Sequence, residues 1–424
     1  MRVTSKEGGV SCRDDYFRSS DMTLTKRPLP RVVLIDPEAL QHPFAVYAKA
    51  REAAPLVRLL APGLTPIWGV TRHRDAKAML ADARLVLTQR SFIRPDTPGE
   101  YMVSMQMMLT DGPTHKRLRR LTSPGFLPRR SAKFREHIQS IVDDLLDALV
   151  ESETDGVVDL FKNFARPLPT DVICAFIGIP ESDRLHWREY GAAAAEAGDG
   201  FANAMPGIVK STHDAIAYRR NNPGEDLISD LVRIHHDDED RLSDPEMVTL
   251  ILVLVLSSGT TTNFMANSVL ALLAHPDQLA LLRNDNMLMA MAIEELMRWC
   301  GPDLLTAPRY TLEDVEIAGV RIPEGEPVMA VIASANRDPR VFDDPERLDI
   351  TRPIAQSSEQ LGFAHGAHYC IGAAVARVMA DVALTTLFRR FPDLALASTS
   401  PEIEAAHRVA DPGTWRLDSL PGRL

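Results

Sequence analysis

The sequence predicts a mainly α protein with a few small β-sheets. Three observations carry that prediction. Helical periodicity recurs along the chain and only a few short strand patterns interrupt it. One helical pattern, opened by Ser243-Asp244-Pro245-Glu246, runs to about Ala274 before His275-Pro276. No Pro/Gly/Ser-rich linker and no internal repeat divides the 424 residues, although length alone would suggest two or three domains.

Leu40 to Ala54 is periodic as a helix and stops at Pro55. Val57–Leu60 and Ile67–Val70 read as short strands around Pro62-Gly63. Arg74 to Ala83 is helical, whereas Ser91 to Leu109 is irregular and carries four of the 16 methionines. Helical patterns follow from Thr114, from Ala132 to Ser152 and through Asp171 to Ile177. Gly191 to Gly207, rich in Ala and Gly, reads as a helix-loop-helix, and His235 to Asp240 as a solvated acidic loop. Ser243 and Glu246 form a capping box with Pro245 in the first turn. The helix they open spans about 30 residues, or ~45 Å at ~1.5 Å per residue. Val315–Ile317 and Val320–Ile322 flank Ala318-Gly319 as a strand pair.

Hydrophobic residues make up 45% and charged residues 25%, as in ordinary globular proteins. A net charge of −11 argues against nucleic acid as a partner. The longest unbroken apolar run, Leu250–Leu256, falls well short of the ~20 residues that span a bilayer and predicts a buried helix segment, not a membrane anchor. The N-terminus carries Arg2, Lys6, Glu7, Arg13, Asp14 and Asp15 without an apolar core, so it does not read as a secretory signal. Residues 1–30 are polar and aperiodic and predict a flexible leader, within which Met22 is an alternative start to Met1. The four cysteines, Cys12, Cys174, Cys300 and Cys370, are far apart and show neither disulfide nor zinc spacing. The expected compartment is the cytoplasm.

Cys370 is the residue with the most chemistry around it. It lies in Phe363-Ala364-His365-Gly366-Ala367-His368-Tyr369-Cys370-Ile371-Gly372, a loop that runs into the helical pattern from Ala373. A helix N-terminus and backbone amides stabilise a thiolate, and Gly366 and Gly372 free the backbone to present them. Such a thiolate suits a haem iron. An isolated cysteine before a helix is more often a small apolar residue in a turn; the neighbouring residues reverse those odds. The loop resembles the cysteine-ligand signature of the cytochrome P450 family, Phe-Gly-x-Gly-x-His-x-Cys-x-Gly. Phe363, Gly366, His368, Cys370 and Gly372 match in register, and Ala364 stands where the family has Gly.

The resemblance extends from about residue 36 to the C-terminus. It implies one large helical domain over residues 31–424, with small β-sheets and a long central helix. It implies haem b (iron protoporphyrin IX) with Cys370 as the iron ligand and Phe363 and Gly372 beside it. Glu295 and Arg298 share one helix face at i,i+3. They resemble the family's Glu-x-x-Arg, which locks to a later arginine and braces the cysteine loop; Arg347 in Pro345-Glu346-Arg347-Leu348 holds the matching position. His115 and Arg119, spaced i,i+4 on one face, match two haem-propionate contacts, and Arg309 and His368 match two more. Lys116, Arg117 and Arg120 add a basic patch, which on the family fold would steer an acidic ferredoxin; ordinary solubilising charge is an equal explanation.

Within the central helix, the apolar run ends abruptly in Ser257-Ser258-Gly259-Thr260-Thr261-Thr262-Asn263. Gly and Thr weaken a helix, and hydroxyls bond back to i−4 carbonyls. The simplest reading is a kink. The resemblance implies more: a groove where dioxygen meets iron and hydroxyls relay protons. The family pattern is Ala-Gly-x-acid-Thr-Thr. Aligned on Asn263, Gly259 takes the acid's position and Thr260 the alcohol's. Shifted by two, Ser258-Gly259 takes the place of Ala-Gly and Thr262 that of the alcohol. Neither register supplies the carboxylate.

The implied activity is insertion of one oxygen atom from dioxygen into an apolar small molecule, free or tethered to a carrier protein, in secondary metabolism. Electrons from NAD(P)H would arrive through a separate ferredoxin reductase and ferredoxin, and Thr260 or Thr262 would help deliver protons. The missing acid leaves open an atypical haem-thiolate reaction, either peroxide-driven oxidation or oxidative C–C or C–N coupling. A non-catalytic haem sensor or carrier is a third reading. The family's pocket segments correspond to Phe92–Met108, Gly191–Gly207, Val255–Asn263, Leu304–Ala307 and Glu402–Val409. Met102, Met105, Met107 and Met108 would give an adaptable apolar wall, unless they are plain core.

Overall fold

The computed structural model describes residues 28–91, 111–195, 199–237, 242–398 and 407–424. Almost all of the expected leader, with Cys12 and Met22, lies outside the described residues. So do Phe92–Met108 with its methionines and residues 402–406.

The helices that position the site are α1 (His73–Ala81), α2 (Pro113–Thr122), α3 (Arg135–Glu151), α4 (Pro167–Ile177), α5 (Arg184–Ala195), α6 (Asp244–Leu256), α7 (Ser258–Ala274), α8 (Met289–Cys300) and α9 (Ala373–Arg390). In chain order the strands are β1 (Arg31–Val33), β2 (Leu56–Leu60), β3 (Ile67–Val70), β4 (Leu85–Val86), β5 (Val158–Asp159), β6 (Arg309–Thr311), β7 (Val315–Ile317), β8 (Val320–Ile322), β9 (Pro327–Ala330), β10 (Ala395–Leu396) and β11 (Pro421–Arg423). The fold is mainly α, as the periodicity predicts.

Each helix buries a stripe that its sequence spells out. In α3, Ile138, Ile141, Val142, Leu145, Leu146 and Leu149 recur at helical spacing and are all buried. They join residues of α4, α6, α7, α8 and α9 in the main core cluster. A six-stranded sheet in the order β1-β2-β3-β9-β6-β4 joins the N-terminal third to the segment after α8. β3 runs parallel to β9, and β6 antiparallel to it, which places Arg309 opposite Val328. β7 and β8 form a hairpin whose turn needs positive φ twice, met by Ala318 (49°) and Gly319 (79°).

The long central helix is two helices. Ser243 and Glu246 make the predicted capping box. The helix then runs to Leu256 and breaks at Ser257, whose hydroxyl donates to the Leu254 carbonyl at 2.6 Å. The break falls at the start of the polar stretch, not at Gly259, because the Ser257 side chain competes for the backbone. Spanned together, residues 244–274 are long and apolar enough to cross a bilayer by length and composition. That exceeds what the unbroken apolar run suggested. Yet Leu250, Ile251, Leu252, Val255 and the residues from Phe264 to Leu272 are buried within the protein, which makes this a core helix.

Candidate active site

Cys370 sits where the loop meets α9. Its amide donates to the Phe363 carbonyl at 2.9 Å, closing a ring of backbone around the residues between them. Gly366 adopts φ 75°, and a Cβ there would lie 2.6 Å from the Leu80 carbonyl oxygen at the end of α1, so only glycine fits. Gly372 is different: its φ of −81° suits any residue. It matters through its amide, which bonds to the Cys370 sulfur and favours the thiolate. Ala364, standing where the family has glycine, takes φ 59°. The loop keeps its left-handed turn there and bears the strain of a β-carbon.

Burial raises the Cys370 thiol above its ordinary range, and Asp303 adds to the rise. The Gly372 amide, Arg119 and Arg377 oppose it. Burial and these donors thus act on the sulfur in opposite directions, and a bound metal ion would deprotonate a coordinating thiol outright.

Two ion-pair systems start from α8, and the second reaches the loop. In the first, Glu295 and Arg298 are completely buried and doubly bonded, both contacts at 2.7 Å. Arg298 also donates to the carbonyls of Asn336, Pro345 and Arg347. The later arginine in this lock is Arg352, whose Nε lies 2.9 Å from Glu295 Oε2. This corrects the expectation for Arg347, whose side chain is exposed and which offers only its backbone carbonyl. The motif places an arginine after Pro345, but two lie within reach, and only burial separates them. In the second system Glu294, on the next position of α8, pairs with Arg377 of α9. Arg377 in turn donates to the Tyr369 hydroxyl at 3.2 Å and lies 4.4 Å over the Phe363 ring. Nothing in the sequence pairs Glu294 with Arg377, which are 83 residues apart.

The four predicted propionate contacts converge. The His115 and His368 rings stack at 4.1 Å. His368 Nε2 is 2.7 Å from Asp111 Oδ1, and the other Asp111 oxygen accepts from the Leu87 amide at 2.7 Å. Arg119 donates to the Tyr369 carbonyl. Arg309 is buried, donates to the Leu80 carbonyl at 2.8 Å and feels Asp111. Burial lowers the pKa of Arg119 and of Arg309, and burial, with His368 beside it, lowers His115 to about 4. Two desolvated guanidiniums and two imidazoles thus face one another with Asp111 as their one carboxylate among the described residues. The set is short of negative charge, and the two propionates of a haem would supply it. The residues present fit the group. Asp111 is the member that sequence reasoning missed, although its place just before Gly112-Pro113 at the start of α2 marks a turn.

The polar stretch of α7 divides between two faces. Thr262 is buried, and its hydroxyl lies 3.4 Å from the Arg166 carbonyl. Ser258 is buried against α4 and α5, close to Thr170 and Gly191. Ser257 and Thr260, by contrast, are exposed within a helix that is otherwise core. Ser258, Gly259, Thr260, Thr262 and Asn263 line a cavity of about 990 Å³, bounded also by α4, α5 and residues 409–418.

The chain matches the Cytochrome P450 family model over residues 177–404. Cytochrome P450 monooxygenase PikC of Streptomyces venezuelae is 37% identical over 91% of this chain and 92% of that relative. The 6-deoxyerythronolide B hydroxylase of Saccharopolyspora erythraea is 35% identical over 90% of this chain and 96% of its own length. Among solved structures, P450BioI, crystallised with an acyl carrier protein bearing hexadec-9Z-enoic acid, superposes with a TM-score of 0.79 at 31% identity, covering 91% of this chain and 99% of that one.

Proposed function

The chain belongs to the cytochrome P450 family and is an oxidoreductase of the monooxygenase type, and from that premise we propose that it oxidises an apolar secondary metabolite at a haem bound through Cys370. The observation that carries the reading is the convergence of His115, Arg119, Arg309 and His368 on one charge-deficient cluster beside the cysteine loop. Haem, when bound, supplies the oxygen chemistry. The protein supplies the rest. Gly372 and Arg377 steady the sulfur, the four basic residues hold the propionates, and Phe363 packs beneath Arg377.

Thr260, exposed on α7, is the alcohol we assign to proton transfer, because Thr262 is committed to the Arg166 carbonyl. Gly259 contributes no acid in that register. This favours a second reading, in which a peroxide or the substrate itself brings the proton, and it would appear as poor coupling of NAD(P)H to product. For electron entry, Arg117 is paired with Glu246, which leaves Lys116 and Arg120 as the exposed cations of α2 for a ferredoxin fed by its reductase. A carrier-tethered substrate is a further option, since P450BioI is known with a loaded acyl carrier protein.

The test is optical. The reduced, carbon monoxide-bound protein should show the red-shifted Soret band of thiolate-ligated haem, and Cys370→Ala should lose it. Retention of that band and of turnover in the variant would sink the proposal. Titration of the ferric protein with macrolides, terpenoids, cyclic peptides and aromatic acids, free and carrier-loaded, should then displace the iron-bound water for one class.

A further inference from the structure

A second cavity, of about 260 Å³, shares two walls with the cavity of about 990 Å³ that Thr260 lines. The first shared wall is α7. Asn263 lines the large cavity, and Asn267 and Ala271, about one and two turns further on, line the small one. The second is the C-terminal segment, where the two sides alternate. Val409, Thr414 and Arg416 line the large cavity, whereas Arg408 and Trp415 line the small one. Successive side chains of an extended chain point opposite ways, so residues 414–416 form a partition one chain thick.

The small cavity has the lining of a site for a flat anion. Phe44 meets Trp415 edge to face at 5.3 Å, and His275 meets Trp299 in the same way at 5.2 Å. Two guanidiniums lie over these rings. Arg337 is 3.9 Å over Phe44 and 5.0 Å over Trp299, and Arg408 is 3.9 Å over Trp415. Among the described residues, no Asp or Glu lines the cavity. The floor is fixed without a ligand, because buried Asn267 donates to the Cys300 and Trp415 carbonyls at 3.2 and 2.7 Å. Arg337 is only 7% exposed. Its two Nη atoms bond to Glu346 at 2.5 Å and to the Trp299 carbonyl at 2.7 Å. Its Nε is buried with no hydrogen-bond partner among the described residues. An unmet buried donor is costly, and more so on a charged group. A water would meet that donor but gain little from the rings; a carboxylate carried on an aromatic ring uses both. About 260 Å³ lies below the ~300–1,000 Å³ of sites for drug-sized ligands, which suits one ring or two fused rings.

We propose that the small cavity is an effector site for a small aromatic carboxylate, and that its occupancy is felt in the large cavity through Trp415. The carboxylate accepts from Arg337 Nε, and the ring packs among Phe44, Trp299 and Trp415. A ligand that presses on Trp415 acts on Thr414 and Arg416 beside it, which face the other cavity. The binding site stands on its own geometry, whereas the effector role rests on the haem-pocket reading of the large cavity.

The experiment uses the ferric holoprotein with benzoate and indole-3-carboxylate as probes and their uncharged amides as controls. Equilibrium dialysis reads binding without reference to the haem spectrum. The wild type should bind each carboxylate about tenfold or more tightly than its amide, the scale of one charge interaction in a partly desolvated site. Arg337→Met should abolish this binding. Arg337 also pairs with Glu346, so its loss strains the fold, and a second variant keeps the test independent of folding. Ala274 lines the cavity at the exposed end of α7, where a larger side chain would cover the mouth. Ala274→Phe should therefore abolish binding as well, whereas a carboxylate held at the haem would bind it undiminished. Imidazole titrated onto the iron reads the large cavity. Saturating benzoate should shift its affinity by about fivefold or more in the wild type, the lower end of allosteric couplings, and not in Ala274→Phe. Equal binding of carboxylates and amides, or benzoate binding that survives Ala274→Phe, would overturn the site. An imidazole affinity indifferent to benzoate would overturn its effector role. Failure of the carbon monoxide band would instead strike the haem reading and leave the dialysis result standing on its own.

Discussion

The cysteine side of the site and the central-helix side are built on opposite principles. The Cys370 loop is over-determined: backbone bonds, the Glu294–Arg377 ion pair and an aromatic ring hold it, while the buried Glu295–Arg298–Arg352 network fixes the segment from Asn336 to Arg352. The α6–α7 junction is under-determined, with a broken helix, exposed hydroxyls and a cavity beside them. The contrast marks where the chain has freedom to vary. A metal ligand must be held in one geometry, so its surroundings are locked. A substrate face must admit different molecules, so its surroundings are not.

The largest effect should come from unlocking the rigid side. Arg352→Met removes one partner of a buried network around Glu295 and should destabilise the protein by about 3 kcal/mol or more, whereas Arg347→Met should stay within about 0.5 kcal/mol. Denaturant unfolding of the two variants checks this. Similar losses for both would mean that the network does not act through Arg352.

Protonation offers a gentler probe of the same side. The folded-state pKa of His115, about 4, lies below the ordinary imidazole value, so between those values the unfolded chain binds the proton better. Its contribution to stability is present above ~6.5 and is lost as pH falls toward about 4 in the apoprotein. Asp303 acts in the opposite sense: raised to about 6, it weakens the fold as pH climbs from ~3.9 through that value. Melting curves between pH 7 and pH 4 should therefore fall less steeply in His115→Gln and more steeply in Asp303→Asn. Parallel curves for wild type and His115→Gln would remove the first of these effects.

The open side should respond in function rather than stability. Thr260→Val should cut coupled turnover by about tenfold or more, the lower range of an acid–base contribution, with little change in melting. Thr262→Val should do the reverse, losing about 1 kcal/mol with the hydrogen bond to Arg166 while coupling is retained. Hydrogen peroxide released per NAD(P)H consumed separates the two. A matched effect at both positions would return the register to an open question.

The same contrast explains how much the sequence discloses. The loop from Phe363 to Gly372 is contiguous and its demands are local, so its register is legible without coordinates. The family and the mainly α fold follow from it and from the helical periodicity. The distal register is ambiguous because Thr260, Thr261 and Thr262 repeat one residue type, and only burial tells Thr260 from Thr262. Arg352 and Arg377 are invisible for another reason: each meets its partner across a long stretch of chain, where many arginines compete.

Ala364 is the smallest test and the one place where the locked side departs from its pattern. A β-carbon at φ 59° costs about 1 kcal/mol. Ala364→Gly should recover most of that cost in the holoprotein. Part of the gain is lost again, because glycine loosens the unfolded chain. The net rise in melting temperature should therefore be modest, with the Soret position unchanged. A fall in stability would mean that the methyl makes a contact worth more than the strain, and that the locked side tolerates strain because its ion pairs hold the loop in place. A rise would show that even the rigid half retains one position where the chain is not at its optimum.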